Sequence, residues 1–128
     1  RLLFVPRQPH DRMMRLLSLV DAALDPYPWG MGVTAFEAFS LCIPVVTIPS
    51  MTTVLQLTLG QYRKMEIFDL VVDTVESYNS IVHRLGNEKE FHTNIAKRIC
   101  AAKHLLFKDE YVVKEWSAMI EKLALTSQ

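Results

Sequence analysis

One stretch constrains the fold more than any other: Asp25-Pro26-Tyr27-Pro28-Trp29-Gly30-Met31-Gly32-Val33-Thr34-Ala35-Phe36-Glu37, closing on Pro44-Val45-Val46-Thr47-Ile48-Pro49. It reads as a strand end, a glycine loop, a helix start and a second buried strand. A strand, a helical crossover and another strand imply parallel pairing. The layout also leaves unbonded backbone N–H groups at the helix N-terminus, where a phosphate sits well. Glu37 follows one turn further in. Glycines, the Thr34 hydroxyl and an acid in that order suit a nucleotide diphosphate carrying a ribose.

The 128 residues suffice for one modest domain with its own core, 1–128. Half of them are hydrophobic, and 14 basic residues balance 14 acidic ones. A zero balance gives no electrostatic case for nucleic acid or a membrane surface. No run of about 18 apolar residues is present, so no membrane span is expected. Cys42 and Cys100 lie far apart in apolar surroundings and read as two buried free thiols. A reducing compartment, cytoplasmic or nuclear, fits that usage better than secretion. The first residue is Arg1 rather than methionine and nothing resembles a signal peptide, so the chain reads as a piece of a longer protein.

Along the chain, the apolar run 2–5 is consistent with a buried parallel strand that Pro6 ends. Asp11 is placed to cap a helix with Met13, Leu16, Leu17 and Val20 on its apolar face. Residues 22–25 form the next strand and 26–32 the glycine loop. The following helix carries Ala35, Ala38, Phe39 and Cys42 on one face, and 44–48 is the third strand. Residues 53–65 read as helix and 68–72 as one more short strand. Asp73 with Glu76 opens another helix, with Tyr78, Ile81, Val82 and Leu85 as its stripe and Gly86 as its stop. Asn87 with Glu90 begins the next helix, carrying Phe91, Ile95, Ile99 and Ala102. Asp109 caps the last, with Val112, Trp116, Met119, Ile120 and Leu123 facing inward. The predicted class is α/β: a Rossmann-like parallel sheet followed by a mostly helical portion. In such sheets ligands bind beyond the carboxyl ends of the strands, so loops 6–11, 26–32 and 49–53 converge on one ligand.

These residues resemble the C-terminal catalytic lobe of a GT-B glycosyltransferase, specifically the family of O-linked N-acetylglucosamine transferases with its SPINDLY-like and bacterial relatives. The resemblance covers nearly the whole chain and rests on an ordered series of motifs. These are Phe4-x-Pro6-Arg7-Gln8-x-His10-Asp11, Leu24-Asp25-Pro26-x-Pro28, Gly30-x-Gly32-x-Thr34-x-x-Glu37-Ala38 and Pro44-Val45-Val46-Thr47. Tyr62-Arg63-Lys64-Met65 and Leu105-Leu106-Phe107-Lys108-Asp109-Glu110 extend it. The resemblance implies a UDP-sugar as donor substrate, with no metal or other cofactor, and a protein Ser/Thr hydroxyl as acceptor. It implies that Gln8 and His10 meet the base, Gly32, Val33 and Thr34 the diphosphate, and Glu37 the ribose, with Gly30 also in the nucleotide-sugar site. The acceptor side and a diphosphate-binding lysine come, in that family, from an N-terminal lobe of a longer chain. No catalytic residue is therefore assigned, and the segment alone is expected to catalyse nothing.

The departures are as specific as the matches. Gly32 and Glu37 stand where human-type members have histidine and aspartate, which moves the match toward the bacterial and SPINDLY-like members. Met13 stands where human-type members have a base-contacting histidine, Gln56 where relatives usually carry an arginine and Glu66 where they often have glycine. Retaining GT-B enzymes use two glutamates eight positions apart; here Glu37 would be the second and Trp29 occupies the first. A GDP-fucose-using relative, a sugar-nucleotide epimerase and a degenerate lobe serving as an interaction module stay open. So do plainer roles: Glu37 as a first-turn acid, Thr34 as a helix cap, His10 as a loop residue, Asp25 as a strand end, Tyr62 and Lys64 on a solvated helix face. Trp116 and the methionines read as core, and His83, His92 and His104 as structural or surface residues.

Overall fold

The computed structural model describes residues 2–51 and 53–126, with the side chains of 53–55 left aside. Arg1 and Thr52, which belong to the predicted first strand and third loop, lie outside the described residues. The element order is α1 (His10–Leu17), β1 (Ala23–Leu24), α2 (Val33–Ser40), β2 (Val45–Val46), α3 (Thr53–Met65), α4 (Val75–Asn87), α5 (Lys89–Ala102), a 3-10 turn (Lys103–Leu106) and α6 (Glu110–Thr126). β1 and β2 pair in parallel, Ala23 opposite Val45 and Leu24 opposite Val46. Thr47 extends the sheet by one parallel bridge to Val71. The α/β class and parallel pairing therefore stand, but the sheet is far smaller than a full Rossmann-like sheet. Residues 2–5 are not a strand: Leu2, Leu3 and Phe4 are exposed, with no strand beside them among the described residues. The predicted strand 68–72 reduces to the bridge at Val71.

The core forms where apolar faces of both halves meet. Ala35, Ala38 and Phe39 of α2 are fully buried and pack with Val45 and Val46, with Tyr62 and Met65 of α3, and with Ile95 and Ile99 of α5. Tyr62 is thus a core residue and not part of a solvated face. Its ring meets Phe39 edge-on, with centroids 4.9 Å apart. Its hydroxyl donates to Val45 O at 2.7 Å and accepts from Val45 N–H at 2.9 Å. Burial pushes its phenol well above the ordinary tyrosine range, a direction the Val45 bonds only partly offset, so the group stays neutral and serves as donor and acceptor.

Two helices end alike. After α2, Cys42 takes a left-handed φ of 64°, while Ile43 N–H bonds Ala38 O and Cys42 N–H bonds Phe39 O. After α3, Glu66 takes φ 57°, with Ile67 N–H on Tyr62 O and Glu66 N–H on Arg63 O. Both are Schellman turns, and each drops a buried isoleucine into the core at the next position. Glycine is the residue such a turn favours at the Glu66 position.

Other boundaries differ from expectation. α1 begins at His10 with no side-chain cap, so Asp11 lies in its first turn, and only Leu17 of its apolar face is buried. Thr74, not Asp73, caps α4, accepting from Ser77 N–H. Gly86 lies inside α4, which runs on to Asn87, and α5 starts after Glu88 rather than at Asn87. Asp109 does cap α6, accepting from Tyr111 N–H at 3.0 Å. The stripe of α6 does not face inward: Val112, Trp116, Met119, Ile120 and Leu123 are all exposed. The amphipathic pattern is present, but no described element covers it. Trp116 is therefore not core, and Met51 is 95% exposed whereas Met65 is buried.

The cysteines are not free thiols. Cys42 and Cys100 form a disulfide that ties the end of α2 to α5. Adding to this link, Lys103 Nζ donates to Ser40 O at 2.6 Å. Among the described residues no helix is long and apolar enough to cross a membrane.

Replacing Glu66 by glycine should raise stability by about 0.5–1 kcal/mol in urea denaturation, because the left-handed φ then costs nothing. Reducing the disulfide, which spans 58 positions of sequence, should lower stability by roughly 2–5 kcal/mol in the same assay. Thiol titration of the unfolded, unreduced chain should find no free thiol.

Candidate functional site

The site grows out of the turn between β1 and α2. Asp25 follows β1 directly, and its N–H continues the ladder to Val46 O at 2.9 Å. The chain then folds back: Trp29 N–H and Gly30 N–H both bond Pro26 O, and the Tyr27–Pro28 peptide is cis. Gly30 is buried with φ 87°, and Gly32, the N-cap of α2, has φ 57° and ψ −117°. Only glycine occupies that last region without strain. A Cβ on Gly32 would meet nothing closer than Leu57 Cδ1 at 3.9 Å, so the requirement is conformational, not steric.

At the mouth of this loop several donors are left over. Thr34 N–H bonds Met31 O and Ala35 N–H bonds Gly32 O. Among the described residues, the N–H groups of Gly32 and Val33 and the hydroxyl of Thr34 have no acceptor within the chain. Val33 is exposed and Thr34 half-buried. Three donors at the positive end of a helix make a cradle of the kind that suits an anion.

Glu37 lies one turn along α2, with its side chain 25% exposed. Its Oε1 is 3.4 Å from Nδ1 of His10, the first residue of α1. The contact brings the end of the predicted loop 6–11 to the helix that follows loop 26–32. Gln8 stands just before, its Nε2 donating to Pro6 O at 3.0 Å. It borders an apolar cleft shared with Pro6, Met13, Leu16 and Val20. The cradle, the acid and the cleft follow one another from Thr34 through Glu37 and His10 to Gln8.

Two residues near the site were not identified from sequence. Asp25, read as a plain strand end, is buried and accepts from Met31 N–H at 2.5 Å and from the Thr47 hydroxyl at 2.7 Å. Tyr78 of α4 donates to Asp25 O at 3.3 Å. The available signal was an acid closing one strand and a threonine in register on the next.

The third loop contributes less. Gln56 Nε2 donates to Ser50 O at 3.0 Å, so its amide group ties α3 to the loop that precedes it. Lys64 is paired with Asp109, joining the Tyr62–Met65 and Leu105–Glu110 motifs, and its ammonium holds the Asp109 carboxyl below the usual carboxylate range. His92 Nε2 lies 2.8 Å from Asp21 O. Among the described residues, no group of three His, Cys, Asp or Glu side chains is arranged to hold a metal ion.

The class defined by these features is an α/β fold with a helix start of unbonded donors at the carboxyl edge of a parallel sheet. Comparison with known proteins gives that fold a particular form. The chain is similar in structure to a mutant O-GlcNAc transferase from Thermobaculum terrenum, with a TM-score of 0.78 and 20% sequence identity. The match covers 94% of this chain and 24% of that one, so the chain spans about a quarter of that protein's length. The likeness shows a glycosyltransferase-like fold. No protein-family model matches the chain, and no curated protein matches it in sequence.

Replacing Gly32 by alanine should destabilise the chain by about 1–3 kcal/mol in urea denaturation, the cost of forcing a side chain into that backbone conformation.

Proposed function

We propose that this chain is the donor-binding segment of an inverting glycosyltransferase, one that moves N-acetylglucosamine from UDP to Ser or Thr hydroxyls of proteins. The observation that carries the reading is the joining of His10 to Glu37 beside the unbonded donors of Gly32, Val33 and Thr34. In this reading the Gly32 and Val33 amides and the Thr34 hydroxyl donate to the diphosphate oxygens. The Glu37 carboxylate accepts from the two vicinal ribose hydroxyls, and His10 holds that carboxylate in place. Gln8 and its apolar cleft take the flat base.

Inverting transfer needs a hydroxyl aimed at the anomeric carbon and stabilisation of the departing diphosphate. The chain would supply part of the second requirement, through helix N–H groups and one hydroxyl rather than through a metal ion. The acceptor site and a further diphosphate contact would come from an N-terminal lobe of a longer chain. The protein would then act on a soluble nucleotide sugar and a protein acceptor, without nucleic acid or membrane.

Calorimetry of the full-length natural chain with UDP, UDP-N-acetylglucosamine and GDP-fucose tests this. Saturable binding of a uracil nucleotide is expected, weakened about tenfold or more by Thr34→Ala and by Glu37→Ala. Preference for GDP-fucose would reassign the donor. Binding of none of them by a folded chain would leave the fold serving protein interaction instead.

A further inference from the structure

Asp25 is the least expected group near the site. It is 3% exposed, yet none of the ion pairs among the described residues includes it. A buried carboxylate without a cation is costly unless its oxygens are bonded. Here each oxygen has one donor: Met31 N–H on Oδ1 at 2.5 Å and the Thr47 hydroxyl on Oδ2 at 2.7 Å.

The two bonds lead in different directions. Thr47 is fixed in the sheet, its N–H on Leu70 O and its carbonyl accepting from Val72 N–H, both at 3.0 Å. Asp25 itself is fixed by its N–H on Val46 O and by Tyr78, whose hydroxyl donates to its carbonyl. Met31, by contrast, belongs to the loop, and its carbonyl accepts from Thr34 N–H at 3.2 Å. One side chain thus joins the fixed sheet to the residue on which Thr34 hangs. Between Asp25 and Thr34 lie two glycines, which without that bond would leave the loop wide conformational freedom.

We propose that Asp25 is the positioning residue of the nucleotide site: its carboxylate, braced by Thr47, sets the direction of the Gly32 and Val33 amides and the Thr34 hydroxyl toward a diphosphate. This rests on the reading of those groups as the diphosphate cradle. The gain is preorganisation, since a loop already held in its binding form loses less entropy when the ligand arrives. Asp25 touches no ligand group itself.

The test uses the full-length natural chain, with UDP and uridine as probes, or GDP and guanosine if the native chain prefers guanine. Affinity is read together with hydrogen exchange at amides 30–34. Thr47→Val removes one hydroxyl and preserves side-chain shape. Asp25→Ala removes both bonds. Asp25→Asn still accepts from Met31 N–H while its amide donates to Thr47 Oγ1. Diphosphate affinity should fall about three- to tenfold in Thr47→Val and tenfold or more in Asp25→Ala, and stay within about threefold of native in Asp25→Asn. Nucleoside affinity should not change in any of them, and the bonded amides of Gly30, Met31 and Thr34 should exchange faster in the first two.

Equal weakening of nucleoside and diphosphate would overturn the proposal, leaving Asp25 a structural residue only. So would native diphosphate affinity in folded Thr47→Val and Asp25→Ala chains. If the native chain binds no nucleotide, the functional reading fails by itself. Exchange at the amides of Gly30 and Thr34, which do not bond Asp25 themselves, then still decides whether Asp25 orders the loop: faster exchange in the variants upholds that, and unchanged exchange refutes it.

Discussion

A sheet of two-residue strands has almost no ladder of its own, so the pair of hydrogen bonds between Tyr62 and Val45 carries unusual weight. β1 takes up the carbonyls of Pro44 and Val46. The polar groups of Val45 face the other way, where a longer sheet would offer a third strand. A single phenol hydroxyl takes that strand's place, giving a proton to the carbonyl and accepting one from the N–H. Buried backbone groups left unbonded cost on the order of a hydrogen bond each. The same ring packs on Phe39, so helix α3 fixes the strand and the crossover helix α2 together. Everything at the glycine loop is built on that base.

The elements most readable from sequence were those whose apolar pattern ends up buried. Ala35, Ala38 and Phe39 line the core as their spacing requires, α3 runs over the expected residues, and valine-rich 44–48 contains β2. The misreadings share one cause: an apolar pattern states what a segment is able to bury, not what is present to cover it. Residues 2–5 and the stripe of α6 satisfy the pattern and stay exposed. Local signals failed for a different reason. Asp73 and Thr74 are both good caps, and only backbone geometry selects Thr74; Gly86 reads as a stop, yet α4 tolerates it one residue before its end. The disulfide was hidden because its partners lie 58 positions apart and only tertiary packing brings them together.

At the site, the residues that would face a ligand were legible because their chemistry is unusual for a loop: two glycines, a threonine, an acid one helical turn on. Their meeting was legible in outline, since loops at one edge of a parallel sheet must lie near one another. The support beneath them was not. Asp25 and Thr47 are 22 positions apart, and each has an ordinary local explanation. Likewise Glu66, a puzzling departure when read as part of a motif, becomes a backbone matter once its left-handed φ is known. Sequence comparison alone does not separate a residue kept for a ligand from one kept for a turn.

Helix α2 is only eight residues long, a rod of about 12 Å. It is held at both ends: by the Gly32 turn and the Met31–Asp25 bond at one, and by the disulfide and the Lys103–Ser40 bond at the other. A rod so short does not bend appreciably, so it passes displacement along its axis instead of absorbing it. The helical half of the chain and the glycine loop are therefore tied to opposite ends of the same short rod, so the disulfide that closes one end and the Asp25 bond that closes the other act on a single element.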